Sequence, residues 1–349
     1  MDILNILKCI DCNTSKTIVD THKNPYRIIT EDNGERTAYI FSVPIKSYVN
    51  NNLIDKEWVR QDNQMIHRGI NSIIAYKGKR LSLENNKDIA EIKLKDNYEV
   101  TPSLNGVTIS SKSDSITFTL KTDYPYLIRN SGTSFALMDQ KHLPYLTISP
   151  HLSEGENGEF IPTHLQANHI GERKYEIIIY AKNTTKNISV EVNLYMPKLI
   201  FDTTIESGDP ERNNVFGNYA IIGTSEDFGK QRLLFILNNV RSSILDFDAI
   251  KQAEMYIPKF GVSTGIVKAY LTTEKWCTFN TTWSTMPNVS SKHIEFMNHK
   301  NYIKADVTEL ISKLPNYGLM LKNEDENSYC AISTADSYDH PIILKIKYT

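Results

Sequence analysis

The sequence predicts an all-β protein, built as two consecutive β-sandwich domains preceded by an N-terminal arm. Three observations carry this reading. Apolar and polar residues alternate at period two through most of the 349 residues. Polar turns interrupt that alternation at short intervals, as in sandwiches. A single segment has firm helical spacing, and it is about two turns long, too short to stand without packing on a sheet.

Residues 1–24 are polar after a weakly apolar start and read as an arm outside the first core. The first clear strand pattern follows at 37–46, Thr-Ala-Tyr-Ile-Phe-Ser-Val-Pro-Ile-Lys. Residues 107–121 carry two alternating runs around a Lys-Ser-Asp turn. The pair 174–182 and 187–196 reads as a hairpin across Asn-Thr-Thr-Lys. That pair ends at Met196-Pro-Lys-Leu-Ile, and a new series of strands opens at Phe201. The expected division is therefore an arm at 1–24, one sandwich at 25–200 and a second at 201–349. The helix is expected from Asp306, with Asp306 as N-cap and Glu309 at the third helical position as a capping box. Leu310, Ile311 and Leu314 would form its buried stripe, and Pro315 would end it. The last alternating segment runs from Pro341 to Tyr348.

Composition removes several classes. Lys plus Arg is 39 against 41 Asp plus Glu, a net charge of −2, so no nucleic-acid partner is expected. No apolar run reaches the roughly 18 residues of a membrane span. The first residues lack a basic n-region and a long apolar core, so no signal peptide is read there. With 15 Gly and 13 Pro, collagen-like and Pro-rich classes fall away. No nucleophile elbow, phosphate loop or dinucleotide fingerprint occurs, and no catalytic residue is nominated. No cofactor is expected.

From Asp202 onward a series of motifs accumulates. It starts with Asp202-Thr-Thr-Ile-Glu-Ser-Gly-Asp-Pro-Glu-Arg-Asn-Asn-Val-Phe-Gly, then Tyr219-Ala-Ile-Ile-Gly and Lys230-Gln-Arg-Leu-Leu-Phe-Ile-Leu. Trp276 and Thr281-Thr-Trp-Ser-Thr-Met-Pro follow, then Asp306-Val-Thr, Tyr317-Gly-Leu-Met-Leu and Ile332-Ser-Thr-Ala-Asp-Ser, with Pro341 before the last strand. In order and spacing, residues 202–349 resemble the DNRLRE-type domain, a β-sandwich related to carbohydrate-binding modules. Ser284 stands where that family's Thr-Trp-Asn-x-x-Pro signature has Asn. The resemblance implies a sandwich of the kind appended to surface or polysaccharide-active proteins, and it does not by itself imply catalysis. Residues 1–200 resemble no family.

Within that domain, Tyr219, Tyr256 and Tyr270 are the candidate sugar platforms, on the condition that their faces are exposed. Arg232 could grip a uronic-acid carboxylate, with Lys230 beside it, or instead lock two strands through an internal acid. Trp276 and Trp283 stack on sugar in one reading and fill the sandwich core in the other, which is preferred. Cys277 and Cys330 read as buried thiols. Cys9 and Cys12, three apart in the arm, suit an intermolecular disulfide, an inert arm, or half a metal or redox site. His151, His164 and His169 lie near Glu154, Glu156 and Glu159 in sequence without a zinc spacing, and Asp246, Asp248 and the run 323–327 match no calcium loop, so whether a metal binds is unknown.

The leading functional expectation is a non-enzymatic surface or assembly protein that self-associates through its arm. A phage-like particle or a spore surface would accommodate the missing signal, with the cytoplasm as the other location. The alternatives are a polysaccharide-active enzyme with its catalytic domain at 25–197, and a soluble glycan-binding protein.

Overall fold

The computed structural model describes residues 17–18, 24–49, 52–55, 58–61, 64–68, 72–85, 88–95, 97–123, 127–139, 141, 143–155, 159–183, 187–325 and 327–349. The regular structure of the described chain is almost entirely strand. Its helical segments are a 3-10 stretch at Asn238–Ser243 and an α-helix at Thr308–Ser312. The all-β expectation holds. Among the described residues, no helix is long and apolar enough to cross a membrane.

The chain divides into two compact units, and the division corrects the expected one. One unit is 46–196; the other joins 1–45 to 197–349. The boundary near 197–201 is where the sequence places it. Residues 25–45, however, belong with the C-terminal half. The reason is strand pairing: Glu35–Phe41 lies antiparallel to Ile343–Tyr348, with Arg36 opposite Tyr348 and Phe41 opposite Ile343. Arg27–Asp32 extends that sheet, and Thr17–Ile18 pairs in turn with it. Part of the expected free arm is thus an edge strand of its own chain's sheet. Cys9 and Cys12 lie outside the described residues.

In the discontinuous unit, the strands of 27–41, 250–260, 302–306 and 343–348 and those of 219–236, 267–272, 319–323 and 329–333 belong to one hydrogen-bonded sheet of fourteen strands. Their alternate residues meet in one core that includes Ile40, Met255, Leu344, Leu233, Phe235 and Leu321. The helix lays Leu310 and Ile311 on this core, and Leu314 packs against it. Its capping differs from the expected box. Val307 occupies the N-cap, Asp306 Oδ1 accepts the Thr308 N–H at 2.9 Å, and Glu309 bonds Lys313 one turn on. With Lys313 in reach at i+4, the Glu309 carboxylate is engaged along the helix surface instead of reaching back.

Unit 46–196 has an eight-stranded and a six-stranded antiparallel sheet that share a second core. Here the expected hairpin is corrected. Lys174–Ala181 pairs with Ser115–Thr122 and Thr163–Gly171 in the larger sheet, whereas Ile188–Leu194 pairs with Gly106–Ser111 and Pro144–Pro150 in the smaller. The chain therefore changes sheet between Ala181 and Ile188. The alternation is right, and its consequence is an arch: Ile177 and Ile179 face the same core as Val190 and Val192 from the opposite layer. The turn at 112–114 crosses between the same two sheets.

Candidate functional site

The strand Gly229–Ile236 is apolar on both faces from Leu233 onward, which creates the site. Leu233 and Phe235 point into the main core, whereas Leu234 points the other way into a small cluster with Ile205 and Met320. Something must cover that outer cluster, and the segment 276–289 does so with Trp276, Trp283, Met286 and Val289. Both tryptophans are half-buried. They pack on this small cluster and not in the unit's main core, which corrects the preferred sequence reading while leaving them a packing role.

The covering segment is held by amide chemistry. Asn213 Nδ2 donates to the carbonyls of Thr278 at 2.8 Å and Thr281 at 2.6 Å, and to Thr203 Oγ1. Beside it, Glu206 is buried and accepts from Asn214 at 3.1 Å, Gln231 at 2.9 Å and Arg212 at 3.1 Å. Burial nevertheless pushes the Glu206 carboxyl above its usual range, against the pull of those three donors. The Asn-rich turn of the sequence is thus the anchor of the tryptophan-bearing loop.

Trp276 Nε1 donates to the Tyr317 carbonyl at 2.7 Å. That bond satisfies the indole and leaves its ring along the wall of a cavity of about 750 Å³, shared with Tyr317, Leu271, Pro315, Lys275 and Asn316. Tyr317 is 46% exposed. The loop carrying Tyr317 is braced twice. Asn238 and Asn316 exchange side-chain and backbone bonds at 2.9 Å each, and the Gly318 carbonyl accepts from Thr272 N and Oγ1. Gly318 has φ +107°, and a Cβ there would lie 2.2 Å from the Phe235 carbonyl and 3.3 Å from Trp276 Nε1. Only glycine lets this loop approach so closely.

The other expected residues are distributed differently. Tyr219 and Tyr256 are buried, so neither offers a sugar-stacking face. Tyr256 is a structural residue: its hydroxyl donates to Glu254 at 2.9 Å and its ring lies 5.3 Å from Tyr302. Burial, then the bond to Glu254, pushes its phenol far above the ordinary value. Tyr270 is half-buried under the Lys322 ammonium, 4.3 Å from its ring centre. Arg232 stacks on Trp283 at 4.5 Å and bonds Met286 Sδ. Lys230 is exposed two residues before it on the same strand. Cys330 is buried, and burial raises its thiol to about 11, whereas Cys277 is exposed and corrects the paired reading.

The candidate metal ligands go to separate partners. His164 stacks on Tyr180, His169 packs on Tyr175, and His151 Nε2 lies 3.2 Å from Glu191 Oε1. Asp246 pairs with Arg27, and Asp325 accepts from Asn327 N and Ser328 Oγ within its own turn.

Sequence reasoning missed Tyr317, Leu271 and Asn316. The one available signal was the Tyr317-Gly318 pair inside an otherwise apolar strand motif.

No family model matches this chain, and no curated protein matches it. Among solved structures, a GH31 alpha-xylosidase from Xanthomonas citri is 8% identical over 95% of this chain, with a TM-score of 0.16. The chain covers 38% of that protein's length.

Proposed function

We propose that this chain is a non-catalytic, glycan-binding protein of a surface or assembly, with the Trp276–Tyr317 cavity as its binding site. The observation that carries the reading is an exposed tyrosine and a half-buried tryptophan on one cavity wall. Aromatic faces stack on the apolar faces of sugar rings, and the exposed Lys275 lining the same cavity supplies a polar group. The motif order that resembles a DNRLRE-type domain agrees with it. The edge position of Thr17–Ile18 supports the assembly half, because among the described residues it is the outermost strand of its sheet and can accept a neighbour's strand.

A glycan microarray followed by calorimetry on the full chain tests the binding half. Trp276→Ala and Tyr317→Ala should each weaken binding at least tenfold. An array with no binder, or binding indifferent to both substitutions, overturns it. Sedimentation velocity of wild type and a Cys9→Ser, Cys12→Ser double variant tests the assembly half, which a concentration-independent monomer removes.

A further inference from the structure

The aromatic cavity has a neighbour. A second cavity of about 690 Å³ has Ala269, Leu271, Ile294 and Leu310 among its lining residues. Both cavities are lined by Leu271 and Asn316, so they adjoin as one trough. Each volume falls in the roughly 300–1,000 Å³ range of small-molecule sites, and the two together suit an oligomer longer than either.

The charges along the trough are unevenly committed. Asp306 holds the Thr308 amide, and Glu309 is bound to Lys313. The bond and charge of Lys313, with a smaller contribution from Lys292, hold the Glu309 carboxyl below its usual range. Both carboxylates on the trough thus have partners within the helix region. Lys275 at the aromatic end and Lys292 at the other end are exposed, and neither forms an ion pair among the described residues. The trough therefore presents an apolar, aromatic floor with exposed ammonium groups outside any close ion pair at two separated points.

Resting on the proposed glycan-binding reading, we infer that the trough selects anionic oligosaccharides, with Trp276 and Tyr317 stacking on one sugar and Lys275 and Lys292 meeting acid groups spaced along the chain. A lysine ammonium is a compact point charge on a flexible stem, so carboxylate and sulfate are both suitable partners. Selectivity for charge would come from these two lysines, and affinity for sugar as such from the aromatic pair.

The test is calorimetry of the full chain with three probes of equal length: a galacturonate hexamer, a sulfated hexasaccharide and neutral cellohexaose. At low salt, at least one anionic hexamer should bind tenfold or more tighter than the neutral one. That advantage should fall toward unity in 0.5 M salt, because exposed charges are screened. It should also vanish in a Lys275→Gln, Lys292→Gln double variant, whose exposed positions leave folding intact, as a thermal melt would verify. Trp276→Ala should lose all hexamers alike. The galacturonate and sulfate arms identify which acid is preferred. Equal affinity for neutral and anionic hexamers overturns this inference and leaves the glycan-binding reading standing. Binding of no hexamer overturns the inference, and the glycan array then decides the glycan-binding reading. Anionic binding that survives Trp276→Ala places the acid elsewhere and also overturns the inference.

Discussion

Arg27 and Asp246 meet in a two-pronged ion pair, Nη1 to Oδ1 at 2.7 Å and Nη2 to Oδ2 at 3.0 Å, across 219 residues of sequence. Arg27 is fully buried and also donates to the Ser243 carbonyl, while its guanidinium lies 5.4 Å from the Phe247 ring centre. Phe247 in turn stacks on Tyr348 at 3.8 Å. The pair thus fastens an N-terminal strand, the 238–248 segment and the last strand at one point.

Removing Asp246 leaves a buried cation without its carboxylate. Asp246→Ala should cost about 2–3 kcal/mol, below the roughly 3–5 of a fully buried pair because Asp246 is 37% exposed. Urea melts of variant and wild type give the difference. A loss under about 0.5 kcal/mol would mean the pair is incidental.

The discontinuous unit predicts an unusual proteolytic pattern. Cleavage within 46–196 should leave residues 24–45 bound to 197–349 without a covalent link, since Glu35–Phe41 is paired with Ile343–Tyr348. The fragments should co-elute on native size exclusion and separate in denaturant. A stable fragment beginning near 200 that folds without the N-terminal strands would refute this.

Trp276 and Trp283 are half-buried over a small cluster. Each substitution to Ala should therefore cost about 1–3 kcal/mol, less than the roughly 3–5 of a tryptophan deep in a core. Trp283→Ala should also strip Arg232 of its ring, with little effect on the Trp276 cavity. Equal loss of glycan binding in both variants would contradict the placement of the site.

Gly318→Ala meets two obstacles at once, a left-handed backbone and the Phe235 carbonyl 2.2 Å from the new Cβ. We expect a loss of at least ~2 kcal/mol and displacement of Tyr317 from the cavity wall. A cooperative melt with unchanged midpoint and unchanged glycan affinity would show that the loop yields freely.

Lys198, Asp202 and Asp336 form a buried trio with one cation and two acids. Burial first, then the charge of Asp336, holds the Asp202 carboxyl well above its usual range, although Lys198 pulls the other way. A carboxyl raised in the folded state binds its proton more tightly there than in the unfolded chain. Its contribution is complete below the ordinary carboxyl range, near pH 4, and is lost as pH rises through the folded value. Asp202→Asn should therefore flatten the fall of stability above pH 4 and be more stable than wild type at pH 8. Parallel pH profiles for the two proteins would exclude this role for Asp202.

Much of the strand content was legible because the faces of a strand differ at period two, and that pattern survives whatever the partner is. The pairing was not legible for the same reason. Ile177 and Val190 carry the signal of an apolar face in a hairpin and in an arch alike, and only the second sheet decides between them. The tie between Glu35–Phe41 and Ile343–Tyr348 leaves no local trace, because each segment merely alternates. At the site, aromatic residues could be named but their exposure could not. Tyr219 and Tyr256 read like Tyr317, yet packing buries the first two and leaves the third open.

The pairing of Glu35–Phe41 with Ile343–Tyr348 also sets an order of assembly. Synthesis proceeds from the N-terminus, and domains generally fold as units when their residues are available. Residues 46–196 hold all the strands of their own two sheets and can complete their core while later codons are still being read. The first strands must wait, since their partner is made some 300 residues later. For that interval, Ile40 and Phe41 are an apolar edge without a sheet, and the nascent chain's greatest exposure to aggregation or to a chaperone falls there.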